Sequence, residues 1–593
     1  MKKIITISFS ILFLAAFLWS CKKDFLNVQN VDKISSDVFP TSYDKLNLEL
    51  NTVYADLHAN GLWGVDYIQK VLYPSDHTSD QDYIDFPEWN GVHQNKALVN
   101  DGYIESLWSA CYTGIQACNT LLEDVANYRV KYIKGGEGPK LDVMEGQTRF
   151  FRAYYYSVLV NRFGETFIKN GVGGDKKGVP LITKTAKTIN ETYVKRATIR
   201  QTWDTIFSDL KKSEMLLKDT KSWDSQNQGR VTVWSVKSLM GQGYLYTEDW
   251  ANAKAKFEDV ITNSGKTLMP FDQYKDMFIG KYENNNESIF EVNLAYDVNG
   301  WGAFGGAVTS QTAALYFAPA FLNGNGGESS SGFSNIYLHD QSLKRFGFAF
   351  ANYITLNPAF DGAKGESFTN LKHVFDPAIL SQSALARKNK TVDPRLWVSG
   401  LQPYLDSMVS GGNKVPIIKY IGSYDNGYGF SLRKYQDLSR TEYSSNAKNG
   451  SNMYVIRLAD IYLMYAESLI NSGGSASTAL EYINKVHRRA YGYDYTAPSP
   501  VDYVSLTDAT KATGDAVLKN DILKYERWAE FLGEGEWWTD VCRWKIGAQE
   551  AAIYKKVKSG PIQWNEARSY ALPIPIKELN NNTALTGQQN PGY

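Results

Sequence analysis

The sequence predicts a mainly α protein, a tetratricopeptide-like scaffold of stacked helical hairpins with long loops and a few short strands. Three observations carry this. Apolar residues recur at three- and four-residue spacing over 43–57, 104–125, 141–162, 199–217, 231–246 and 250–261. In GQGYLYTEDWANAKAKFEDVI, Gly241, Tyr244, Ala253 and Phe257 stand at the offsets by which the two helices of a tetratricopeptide repeat pack together. Strand-like runs are short, at 288–294 (SIFEVNL) and 414–420, and lie in a glycine- and asparagine-rich stretch over 269–452.

The elements follow in chain order. Lys2 and Lys3, an apolar run over 4–19 and Ser20 precede Cys21, the pattern of a lipoprotein signal. The run is short and interrupted by Thr6, Ser8 and Ser10, so it does not read as a membrane span. Cys21 is the expected site of lipid attachment, with 22–30 (KKDFLNVQN) as a polar tether. This divides the chain into a signal peptide at 1–20, a lipidated tether at 21–40 and a single body at 41–593. Within the body, a helical part runs to about residue 265 and a loop-rich part from about 266.

In the helical part the repeat is degenerate, because Lys237 occupies the usual tryptophan place and Gly265 the usual proline. A weaker second pair spans 454–489, with Ala479 and Ile483 at the packing positions. Two loops are the most aromatic, 76–89 (DHTSDQDYIDFPEW) and 296–304 (YDVNGWGAF). Long loops in a compact body are usually functional. Asp82, Tyr83, Trp89, Asn90, Tyr296, Trp301 and Phe304, in or beside these loops, are therefore ligand-binding candidates.

Other chemistries lack support. With 63 basic and 63 acidic residues, the chain has no electrostatic footprint for nucleic acid. Cys111 and Cys118 are seven apart on a predicted helix, about 10.5 Å along its axis, too far for a disulfide, so both read as buried thiols. No nucleophile elbow, zinc motif or complete phosphate-binding loop occurs. Asp76, Asp80, Asp82 and Asp85 lack calcium-loop spacing, so no metal and no cofactor are expected.

The run ERWAEFLGEGEWWTDVCRW superficially resembles a glycosidase site. Glu526, Glu530 and Glu534 fall four apart, on one face of a predicted helix, whereas glycosidase carboxylates face each other across a cleft, about 5 to 9.5 Å apart. With Arg527, Asp540 and Arg543 they are expected to form a buried ion-pair ladder tying two helices together.

Eight strings stand in an order that closely resembles the SusD/RagB family of Bacteroidetes outer-membrane lipoproteins. They are RFFRAYYYSVLVNRFG (149–164), GRVTVWSVKSLMGQGYLYTEDWANA (229–253), NNNESIFEVN (284–293), DPRL (393–396), VIRLADIYLMYAESL (455–469), ALEYINKVHRRA (479–490), the ERWAEFLGEGEWWTD run, and ALPIPIKEL with QNPGY at the end. Trp537 departs from the arginine usual before Trp538, and Lys22 and Lys23 make the tether less acidic than the usual surface-export signal. The resemblance implies a non-catalytic receptor, lipid-anchored in the outer membrane and facing the cell exterior. It would capture oligosaccharides and hand them to a SusC-like TonB-dependent transporter. A peptide or other nutrient as ligand is the alternative; a glycoside hydrolase or a pure protein-interaction scaffold is a more distant one.

Overall fold

The computed structural model describes residues 40–64, 91–92, 94–296 and most of 310–593. Within the last span it omits stretches of which 323–327, 420–426, 439–448, 509–514 and 555–562 are the longest. Cys21 and the tether lie outside the described residues.

The first half is helical. Helices of eight residues or more are α1 (Tyr43–Ala55), α2 (Gly102–Lys131), α3 (Gly138–Phe163), α4 (Ile199–Leu216), α5 (Val233–Tyr246) and α6 (Trp250–Asn263). Their starts are capped locally. Asp101 accepts from the amides of Tyr103 and Ile104, and Thr198 and Gln201 form a reciprocal capping box at α4. α3 packs against α2 and α4, and nearly every residue from Phe150 to Val160 is buried, as expected of a helix enclosed by its neighbours. Its polar exception, Arg152, is neutralised by two 2.7 Å hydrogen bonds to Asp209 of α4.

The degenerate repeat packs as its offsets require. At Gly241 of α5 an added Cβ would lie 2.5 Å from the ring of Phe257 on α6. Lys237, in the tryptophan place, pairs instead with Asp259 of α6 and lies 3.9 Å from Glu214 of α4. Cys111 and Cys118 are free and buried on α2, and Cys542 is free and buried as well.

The second half adds α7 (Pro377–Asn389), α8 (Leu458–Asn471), α9 (Ala476–Ala490), α10 (Ile522–Phe531) and α11 (Trp537–Trp544). The second hairpin is α8 and α9, and α8 also packs on α6, which continues the helical stack across both halves. One apolar core runs from Leu46 to Leu585.

The strands are short and antiparallel. β1 (Lys177–Pro180) pairs with β2 (Arg196–Thr198); β3 (Ser288–Val292) pairs with β12 (Met453–Arg457), which leads directly into α8. Between these lie β4 (Ala320–Leu322), β5 (Glu328–Ser330), β6 (Ile354–Leu356), β7 (His373–Phe375), β8 (Gly400–Leu401), β9 (Ser407–Ser410), β10 (Asn413–Ile418) and β11 (Ser431–Leu432). β10 pairs with β9 and β4, giving the order β5-β4-β10-β9. Residues 454–457, expected at the start of a helix, are therefore strand. A register shift places Tyr454 and Ile456 opposite the adjacent residues Glu291 and Phe290 of β3.

Candidate functional site

Described residues that border the two aromatic stretches meet at two points. The first stretch follows Trp63, whose indole donates to the Tyr154 hydroxyl at 2.8 Å, and Gly64, whose carbonyl accepts from the amide of Thr312 at 3.3 Å. Thr312 lies just past the end of the second loop. At that loop's start, the His58 Nε2 lies 3.0 Å from the carbonyl oxygen of Asn293. These bordering residues therefore form one seam.

A polar cluster fixes the start of the second loop. Asn452 accepts from the amide of Leu294 at 2.7 Å and donates to Glu291 at 2.9 Å and to Asn293 at 3.0 Å. Its own amide donates to Glu283 at 3.1 Å. Burial pushes Glu283 up to about 7, with the Asn452 amide opposing and Glu291 adding to the rise. Tyr296, partly buried, runs against Gly450, where an added Cβ would meet its amide nitrogen at 2.7 Å. Of the ligand candidates, Tyr296 alone is described; Asp82, Tyr83, Trp89, Asn90, Trp301 and Phe304 lie outside the described residues.

Behind the seam, the charged residues of the ERWAEFLGEGEWWTD run form two buried clusters. This corrects the single ladder between two helices. α10 ends at Phe531, and Gly533 and Gly535, at φ +82° and +86°, turn the chain so that Glu534 is carried outside the helix. Glu526 binds Arg395 at 2.6 Å, His487 at 2.8 Å and the Tyr503 hydroxyl at 2.6 Å. Glu530 binds Arg457 at 2.7 Å and Arg489, while Glu534 binds Arg457 at 2.8 Å and Lys434 at 2.7 Å. Glu287 of NNNESIFEVN completes the first cluster, 2.8 Å from Arg457 and 2.9 Å from Arg489.

Arg527 and Arg543, the cations expected to serve those glutamates, belong to the second cluster. Arg527 joins Asp460 at 2.8 Å and Asp540 at 2.6 Å; Arg543 joins Asp540 at 2.8 Å and Glu467 at 2.6 Å. Trp537 donates to Glu550 at 2.9 Å, and Glu550 also accepts from Arg345. Burial alone would raise the carboxyl of Glu530, but Arg489, Arg457 and Arg395 hold it down to about 2. Such a carboxylate stays ionised and cannot deliver a proton.

Sequence reasoning missed Arg395, Lys434, Arg457, Arg489 and Glu287. The signal was present, because all but Lys434 are charged residues set among apolar ones in the strings DPRL, VIRLADI, VHRRA and NNNESIF. Among the described residues no group of three or more His, Cys, Asp or Glu side chains could hold a metal ion, and no helix is long and apolar enough to cross a membrane.

The described residues form a helical-hairpin scaffold whose acidic motif is engaged in buried ion pairs. Comparison with known proteins gives the family. The sequence profile described as "SusD family" matches residues 257–593, more than half of the chain, and one described as "Starch-binding associating with outer membrane" matches 24–245. The chain belongs to the SusD family. A curated relative, SusD-like protein P2 of Formosa agariphila, is 22% identical over 563 residues, covering 94% of this chain and 93% of the relative. A SusD-like protein from Bacteroides fragilis has the same fold, with a TM-score of 0.68, 19% identity and coverage of 95% of this chain and 99% of that one. Surface glycan-binding protein A from Bacteroides thetaiotaomicron, solved in complex with laminarihexaose, superposes with a TM-score of 0.61 at 21% identity, over 92% of this chain and 99% of that one.

Proposed function

We propose that this protein is a non-catalytic receptor, lipid-anchored at Cys21 on the outer face of the outer membrane. It captures oligosaccharides on its two aromatic loops and hands them to a SusC-like TonB-dependent transporter. The observation that carries this reading is the Gly64–Thr312 hydrogen bond, which joins residues bordering 65–90 and 297–309, the stretches whose sequence holds the candidates Trp89, Asn90 and Trp301. The family profile that names starch binding and the outer membrane, and a fold shared with a laminarihexaose-bound protein, support a glycan as ligand.

A non-catalytic role is supported by the carboxylates. Glu526, Glu530 and Glu534 are each engaged by cations, so none is free to act as acid, base or nucleophile on a glycosidic bond. The test is retention of the protein on an oligosaccharide array, with product analysis of the same sugars after long incubation. Binding without cleavage is expected. Retention on peptides and on no sugar would move the reading to a peptide receptor, and cleavage would make the protein an enzyme.

A further inference from the structure

A second cleft lies between the end of α7 and the residues just after β11. It has a volume of about 370 Å³, within the range of roughly 300–1,000 Å³ typical of small-molecule sites. Its lining mixes Phe271, partly exposed, and the buried Pro394, Trp397 and Val398 with cations that lie beside these rings. The cations are Lys275, Arg387, Lys390 and Arg433, against a single lining carboxylate, Asp406.

These cations are held in place. Asp406 fixes Arg387 at 2.8 Å, and the guanidinium caps the Trp397 ring at 5.3 Å from its centroid. The Trp397 indole is itself anchored, donating to Gln402 at 2.9 Å. Arg433 is gripped by Asp276 at 2.7 Å and donates to the carbonyl of Lys275. Asp276 is also shared with Lys275 at 3.5 Å and Lys281 at 3.2 Å, so three cations compete for one carboxylate.

Lys390 is the least compensated. Among the described residues no carboxylate lies within ion-pair distance of it. Its ammonium donates to the carbonyl of Tyr491 and sits 5.8 Å from the Phe271 ring and 5.9 Å from the Tyr493 ring. It caps α7 at φ +54°, the left-handed conformation that commonly ends a helix. Gly492 makes room for it, since an added Cβ there would come within 2.8 Å of the ammonium.

We propose that this cleft is a second binding site, for a sugar residue carrying a sulfate or carboxylate group. Partly exposed Phe271 offers its ring to the face of a pyranose, and the surplus positive charge of Lys390, Lys275 and the two arginines beside it meets the anionic substituent. The cleft would thus read the acidic decoration of a glycan whose chain is held elsewhere. The proposal rests on the glycan-receptor reading above.

The experiment is calorimetry of the full chain in detergent with neutral, uronate-bearing and sulfated oligosaccharides of equal length, and with a polyglutamate peptide. An acidic oligosaccharide is expected to bind, more weakly at high ionic strength, and the uronate and sulfate arms identify which anion is preferred. Lys390→Ala with Lys275→Ala should weaken that binding by about tenfold or more, the loss expected for charge-assisted contacts, with an unchanged thermal melt. Both side chains reach solvent, so the fold does not depend on them. Neutral sugars binding while acidic ones do not, or acidic binding indifferent to the double variant, overturns the second site and leaves the receptor reading standing. Failure of every sugar overturns both. Polyglutamate displacing the acidic sugar with higher affinity would assign the cleft to an acidic protein segment instead.

Discussion

The amide of Thr312 donates to the carbonyl of Gly64 across 3.3 Å, joining two segments that are 248 residues apart in the sequence. The bond joins described residues on the borders of the two stretches that carry the aromatic candidates. Trp301, between Gly300 and Gly302, and Trp89, between Glu88 and Asn90, should therefore contribute to the same ligand. Trp301→Ala and Trp89→Ala are each expected to weaken binding by about 1–3 kcal/mol, the range of an aromatic hot spot, with little change in melting temperature. Calorimetry with the sugar selected by the array, beside a thermal melt, checks this; unchanged affinity in both would place the site elsewhere.

Arg457 bridges Glu287, Glu530 and Glu534, so truncating it would leave Arg489 to serve the first two and Lys434 to serve the third. Arg457→Met should cost at least the roughly 3–5 kcal/mol of a broken buried pair. Glu534→Gln should cost less, because Lys434 and Arg457 retain other acceptors. Denaturant unfolding monitored by tryptophan fluorescence gives both values. A Met variant as stable as the parent would remove the structural role assigned to the cluster.

Two glutamates predict opposite pH dependences. Glu530 has a carboxyl held down to about 2 in the fold, against 4.5 when unperturbed, so its contribution is complete above pH 4.5 and is lost as pH falls towards 2. Glu536 lines a cavity of about 80 Å³ and is pushed up to about 8 by burial and by Asp460 and Asp540, with Arg527 and Arg162 opposing. Its raised value means the unfolded chain ionises first, so it costs stability progressively from pH 4.5 to pH 8 and by a constant amount above that. Glu536→Gln should raise the melting temperature at pH 8 and leave it nearly unchanged at pH 4. Melts of both proteins across that range decide it, and a variant less stable at pH 8 would mean the carboxylate is ionised and paired.

Gly241 is packed face-on against Phe257. Alanine is the better helix former, by about 1 kcal/mol, yet at this site the methyl would force the hairpin apart. Gly241→Ala should destabilise by about 1–3 kcal/mol, and a gain in melting temperature would show that α5 and α6 can separate freely.

Cys21→Ala removes the thiol that acylation requires. The variant should lose lipid labelling and leave the membrane fraction while keeping the melting temperature of the body. Membrane retention at the level of the unmodified protein would exclude the anchor.

Much of the helical scaffold was legible because it is a local property. α3, α4 and α6 each carry an apolar periodicity that survives in isolation, and the observed bounds fall within two or three residues of those read from spacing. The start of the second hairpin was not legible: Met453–Arg457 reads as the beginning of an apolar helix and becomes a strand because β3 supplies it with a partner. The ion-pair residues were recognised as structural, but their partners were misassigned. Four-residue spacing implied that Glu534 stays on the helix, whereas the positive φ at Gly533 ends it. The aromatic loop residues were legible only as a composition, and Tyr296 is the one whose surroundings the structure describes.

By itself, then, the sequence determined the helix periods, the glycine and phenylalanine of the α5–α6 contact, the lipoprotein pattern at Cys21 and the family order of the motifs, since each depends on residues close together in the chain. Only the tertiary structure decided that Thr312 meets Gly64, that Arg457 serves three glutamates from two distant segments, and that Lys390 faces Phe271 over a cleft. Those are contacts between residues tens to hundreds of positions apart. Their partners are selected by how whole helices and strands pack, which spacing along one strand or helix does not encode.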